Sequence, residues 1–248
     1  MEMSAIPFLA VCIPLAITGM TVGESLAAAV PILLIFMAGY TINNLHDAEK
    51  DAVIHPERPL PAGHISIRAA AAIFFTVITL TLLSIKILVP APAAYLYLLL
   101  LVGLMNYNYI VLYFPLLKNA VMAAIGIIPM LILARFPGPH VSIAVTTALF
   151  LFLLGMEMLS DTIDAHGDPY TLVKTIGINR AVSIAFCVKM LADVTLLLAA
   201  SDRFGYLLAA LLCLMDLLAW WAWHRQALRR RIMRVLGSQL GLGLYFLL

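Results

Sequence analysis

Long apolar blocks separated by short polar stretches set the pattern of this chain. Nine blocks stand out, at approximately residues 5–22, 25–44, 68–88, 91–107, 109–134, 141–160, 179–200, 204–223 and 232–248. The hydrocarbon core of a bilayer is about 30 Å thick and takes roughly 20 apolar residues as an α-helix, so each block has the length of a membrane span. The ninth is short and carries Gly237, Gly241 and Gly243, which makes it the weakest. No block alternates apolar and polar residues in the manner of a strand, and an open sheet would leave its edge groups unbonded in lipid. The pattern predicts an all-α polytopic membrane protein, about nine transmembrane helices in a bundle around a central cavity, as one domain over residues 1–248.

Composition agrees. Of 248 residues, 64% are hydrophobic and 11% charged, against about 25% charged in a soluble domain. The net charge of +2 is too small to favour a nucleic-acid partner. Cys12, Cys187 and Cys213 lie within apolar runs without CxxC spacing, which argues against a disulfide framework or a zinc site and for small apolar side chains. No cleavable signal peptide is expected, because no basic region precedes the first apolar block.

The basic residues orient the spans. One set of alternating loops carries Lys50, Arg58, Arg68, Lys118, Lys174, Arg180 and a run of five arginines from Arg225 to Arg234; the opposite set carries Lys86, Arg135 and Arg203. The positive-inside rule puts the first set and the amino terminus in the cytoplasm, and the carboxyl terminus outside. The arginine run suits anionic headgroups, and Trp220, Trp221 and Trp223 suit an interfacial belt.

The two longest loops, roughly 45–67 and 161–178, fall on that cytoplasmic side, and long loops tend to be functional. They hold seven of the thirteen acidic residues, eight with Glu157 just before the second. In "NNLHDAEKD", Asn43, Asp47 and Asp51 are spaced i, i+4, i+8, one face of a helix. Glu157, Asp161, Asp164 and Asp168 follow i, i+4, i+7, i+11, one stripe as far as the helix persists before Gly167 and Pro169. Stacked carboxylates repel, more so when partly buried. A magnesium ion relieves the conflict, since it takes hard oxygen ligands and completes its shell with water and phosphate oxygens. Arg58, Lys118, Lys174 and Arg180 follow or neighbour the acids, and such cations suit a diphosphate. An apolar cavity beside them suits an isoprenoid tail. The plainer alternative is that these charges only solvate their loops. It is the better reading for any one residue, and it fails for two stripes in so uncharged a chain.

Three further features have two readings each. Asp161 is expected in or beside the magnesium site, because an unpaired carboxylate at that depth is costly; the alternative is that it accepts a bond from a nearby lysine or arginine and steadies the loop. Tyr107, Tyr109 and Tyr113 either present ring faces to a carbocation or anchor the membrane interface, the commoner role. Lys189 and Asp193, four residues apart inside the seventh span, are ionisable groups at an expensive depth; mutual pairing on one helix face is preferred over a transport pathway. Asp216 in the eighth span has no partner evident in the sequence.

At this point the chain resembles a known family. "NNLHDAEKD" is similar to the first aspartate-rich motif of UbiA-type intramembrane prenyltransferases, commonly NDxxDxxxD, with Asn44 at the usual second position. "HPERPLPAGHIS" resembles the proline-rich segment that follows it, "YIVLYFPLLKN" the central tyrosine and lysine segment, and "DTIDAHGDPYTLVKTIGINRA" the second motif with its Lys-Thr pair. The resemblance implies magnesium-dependent transfer of a prenyl group from an isoprenyl diphosphate to a lipophilic or aromatic acceptor. By position it implies a first metal site at Asn43, Asp47 and Asp51, a second at Asp164 and Asp168, and Arg58, Lys118 and Lys174 near the diphosphate. Family members carry a longer amino-terminal segment that lines the acceptor entrance; this chain is expected to lack it, which leaves the acceptor class open. No obligatory protein partner is expected. Rival readings are a UbiA-like terpene cyclase, in which the cation is captured internally, and a membrane transporter, for which no inverted repeat is visible. A phosphatidyl-type alcohol transferase would need a DGxxAR pattern that is absent.

Overall fold

Thr21 opens the first helix with a capping box. Its hydroxyl accepts from the Glu24 amide at 3.3 Å, and the Glu24 carboxylate accepts from the Thr21 amide at 2.9 Å. Two of the amides that a helix start leaves unbonded are met in this way. Ser66 and Ser142 cap two later helices through bonds of 3.2 Å from the amides of Ala69 and Ala144. Polar residues at the breaks between apolar blocks thus mark where helices begin.

The structure, a computed structural model, describes residues 21–110, 115–136, 142–165, 171–200 and 203–224. They form α1 (Val22–His46), α2 (Ala48–Ile54), α3 (Ile67–Leu88), α4 (Ala91–Ile110), α5 (Pro115–Leu133), α6 (Ile143–Asp164), α7 (Leu172–Ile176), α8 (Ile178–Ala199) and α9 (Arg203–His224), with no strand among the described residues. The seven long helices match the second to eighth predicted spans. The first and ninth predicted spans lie outside the described residues, save for positions 21 and 22. The two short helices lie in the segments read from sequence as loops. Between α2 and α3 the proline-rich segment folds into successive turns, with Gly63 at φ 73°, a left-handed conformation that glycine adopts without steric cost.

The long helices pack in two groups. In the first, α1 lies against α3 and α4, and α4 against α5; Ile32, Ile35, Phe74, Tyr97, Leu100 and Ile132 are core residues there. The buried Tyr97 hydroxyl donates to the Ala28 carbonyl at 3.1 Å and ties α4 to α1. In the second, α6 packs on α8 and α8 on α9 around Leu149, Phe152, Leu196 and Leu212. The α5–α6 contact joins the groups. Ile87 is 74% exposed and Leu198 81%; large apolar residues facing outward are what a lipid-facing surface requires. Among the described residues, four helices are long and apolar enough to cross a membrane, and three shorter apolar stretches accompany them.

The start of α5 and the start of α7 meet the end of α6 through the bonds of Lys118, Asn119 and the Leu172 amide to Asp161, and the last turns of α1 lie near those of α6, where Tyr40 and Glu157 interact. The short helices α2 and α7 follow α1 and α6 at that end.

Candidate active site

Asp47 interrupts the helix between α1 and α2, with φ −90° and ψ 6°. The backbone ladder nevertheless runs through it. The Asp47 amide donates to the Asn43 carbonyl at 2.8 Å, the Asp51 amide to that of Asp47 at 2.7 Å, and the His55 amide to that of Asp51 at 2.7 Å. Because each bond spans four residues, helical phase is kept across the break, and Asn43, Asp47 and Asp51 share one face.

Asp51 is buried, and Arg58 lies with Nη1 2.6 Å from its Oδ2. A turn returns the arginine to it, closed by the Arg58 amide on the His55 carbonyl at 3.0 Å. The prolines that bar a helix here fold the chain back, so residue 58 reaches residue 51. His46 Nδ1 lies 3.3 Å from Asp47 Oδ1.

The second stripe is shorter on the helix than the spacing allows, because α6 ends at Asp164. Asp168 and the side chain of Asp164 lie outside the described residues, as do the side chains of Tyr107 and Tyr109 and all of Tyr113. Asp161 is 2% exposed and has protein donors on both oxygens. Lys118 Nζ is 3.4 Å from Oδ1; Asn119 Nδ2 and the Leu172 amide are 3.1 and 3.0 Å from Oδ2. The lysine that the alternative reading of Asp161 requires is therefore present, as Lys118. Lys174, on α7, and Arg180, in the first turn of α8, are exposed.

Glu157, one turn below Asp161, lies within electrostatic reach of Tyr40, one turn below Asn43. Among the described residues, no three His, Cys, Asp or Glu side chains form a metal-holding group by themselves. The first stripe still offers only hard oxygen donors, two carboxylates and an amide oxygen. Such a set fits magnesium, which draws several of its ligands from water and phosphate.

Lys189 has a partner that the sequence did not supply. Its Nζ bonds Asp216 Oδ1 at 2.5 Å, joining α8 to α9, and the buried Asp193 lies beside Asp216. The ammonium also lies 5.1 Å from the Phe152 ring centroid and 5.7 Å from that of Phe186. Gly155 makes room for it, because a Cβ there would overlap Lys189 Cγ and the Ala185 carbonyl. Asn119, fully buried beside Asp161, was not singled out in the sequence. Its only signal was its place beside Lys118.

A multi-pass helical membrane bundle is the class that this fold defines. The chain belongs to the UbiA prenyltransferase family, whose sequence profile matches residues 4–236. It is similar to the digeranylgeranylglyceryl phosphate synthases of Methanoregula boonei, 30% identical over 182 residues, and of Methanoculleus marisnigri, 29% over 209. Those matches cover 68% and 81% of this chain, but only 63% and 74% of the relatives' own lengths. In fold it is similar to the apo structure of a UbiA homolog from Aeropyrum pernix K1, with a TM-score of 0.75 and 18% identity over 98% of this chain and 94% of the other. A UbiA homolog from Archaeoglobus fulgidus bound to GPP and Mg2+ gives 0.74 at 15% identity, over 99% and 95%.

Proposed function

We propose that this chain is a magnesium-dependent prenyltransferase that moves an isoprenyl group from its diphosphate to a lipophilic acceptor, releasing diphosphate. The acceptor is a glycerol phosphate that already carries one prenyl chain. The observation that carries the reaction class is the face shared by Asn43, Asp47 and Asp51 with Arg58 closing on Asp51, at the same end of the bundle as Asp161 and Lys118. The names of the Methanoregula and Methanoculleus relatives support the acceptor class, and the Archaeoglobus homolog with bound GPP and Mg2+ supports the donor and the metal.

In this reading Asn43, Asp47 and Asp51 hold one magnesium ion and Asp164 and Asp168 a second. Bound magnesium supplies positive charge to the diphosphate oxygens. Arg58, Lys118 and Lys174 add fixed cations around the leaving group, the electrostatic contribution that commonly dominates such catalysis. The allylic carbon–oxygen bond breaks with its electron pair leaving on the diphosphate. The acceptor hydroxyl oxygen then bonds the allylic carbon and loses its proton. The apolar bundle keeps water from capturing the cation first. The acidic end faces the cytoplasm, as the basic residues around it favour.

Protein in liposomes, given radiolabelled geranylgeranyl diphosphate, tests this against three conditions: a singly prenylated glycerol phosphate, an aromatic quinone precursor, and no acceptor. A doubly prenylated glyceryl phosphate is expected. A prenylated aromatic would overturn the acceptor class, and a hydrocarbon or alcohol formed equally well without acceptor would replace transfer with cyclisation.

A further inference from the structure

We infer that Asp161 is a positioning residue, whose buried carboxylate fixes the Lys118 ammonium and the segment leading to Lys174, and that it is not itself a metal ligand. The inference deepens the proposed diphosphate site and rests on it.

Three chain segments meet at this carboxylate. Lys118 and Asn119 come from the first turns of α5, Asp161 from the last turn of α6, and the Leu172 amide from the start of α7. Thr171, at the cap position of α7, makes no side-chain bond to it, so the Leu172 amide is met by Asp161 instead. That bond sets where the chain turns into α7, which carries Lys174. The Asn119 carboxamide directs its nitrogen at Asp161, and its oxygen has no protein partner; nor has the buried Thr171 hydroxyl. A buried acid with three donors around it is costly to assemble, and packing alone would be served by an apolar side chain.

The ammonium also argues against a metal on Asp161. A divalent cation at Oδ1 would stand beside Lys118 Nζ, two like charges on one small group. Lys118 neutralises Asp161 without it, and the acid in return restricts a side chain that otherwise has much rotamer freedom. The pair therefore presents the diphosphate with an oriented cation.

Binding of geranylgeranyl diphosphate without acceptor, by calorimetry on purified protein in nanodiscs, separates the possibilities; a second titration with magnesium at fixed diphosphate gives the metal dependence. Asp161→Asn is expected to weaken diphosphate binding about tenfold and leave the half-saturating magnesium concentration within about twofold of the parent. Asp161→Asn combined with Lys118→Met is expected to bind no worse than Lys118→Met alone, because both substitutions disable one device. If Asp161→Asn does not fold, Asp161→Glu carries the test with a displaced charge and an intermediate loss. A large shift in magnesium dependence would make Asp161 a metal ligand. Unchanged binding in a folded variant would reduce it to a loop brace. Either result overturns the inference. Parent protein that binds no prenyl diphosphate would remove the proposed function itself, and the inference with it.

Discussion

Arg58 and Asp51 are seven residues apart and form a 2.6 Å ion pair, with the acid buried and the arginine reaching it from a turn of prolines. A charge-assisted bond of this kind is worth about 1.5–3 kcal/mol. The bond is made to Oδ2 of Asp51. Arg58→Ala is expected to lower kcat/KM about 10- to 100-fold on that scale, with the larger effect in KM for the diphosphate. Steady-state kinetics check this, and parent values would detach Arg58 from the site.

Removal of divalent cations should abolish transfer. The donors on the first stripe are all oxygen, so magnesium added after chelation is expected to restore the rate. Full turnover in excess EDTA would contradict the metal role of Asn43, Asp47 and Asp51. Asp47→Asn and Asp51→Asn should each require more magnesium for half-maximal rate.

Lys174→Ala tests the cation on α7. Its side chain is exposed, so the fold should persist, and the melting temperature is expected to stay close to that of the parent. Diphosphate KM should rise several-fold. A variant kinetically identical to the parent would place Lys174 outside the diphosphate site.

The Lys189–Asp216 pair makes a prediction about stability. Removing one member of a buried pair costs about 3–5 kcal/mol, whereas replacing both with apolar residues is often neutral. Lys189→Met is therefore expected to destabilise strongly, and the double replacement Lys189→Met with Asp216→Leu to recover part of the loss, because the buried Asp193 beside Asp216 remains. Unfolding in mixed micelles measures both. A double variant as weak as the single one would mean that the pair has a role beyond mutual neutralisation.

Gly155→Ala should also destabilise. The added methyl meets Lys189 and the Ala185 carbonyl, and overpacking of this kind costs about 1–3 kcal/mol. A melt with no change would show that α6 and α8 separate without cost.

Much of the bundle could be read from the sequence because membrane spans are a matter of length and polarity, which single residues report. The break at residues 55–66 was legible for the same reason, since prolines act locally. Partners across helices were not legible. The i, i+4 spacing of Lys189 and Asp193 suggested a pair, while Asp216 lies on another helix and its approach depends on how α8 and α9 pack. Asp161 shows the same limit. Spacing put it on the stripe, but its bonds to Lys118, Asn119 and Leu172 come from segments whose meeting no periodicity encodes.

The ladder through Asp47 has a consequence for chain length. Each residue advances a helix by about 100°, so one residue inserted between Asn43 and Asp51 would turn the later acid about 100° away from the first. The break at Asp47 gives little slack, because the amides of Asp47 and Asp51 both stay bonded four residues back. Ala48 and Glu49 can therefore vary in kind more freely than the segment can vary in number. A library of substitutions there should retain many active members, and a library of single insertions or deletions almost none.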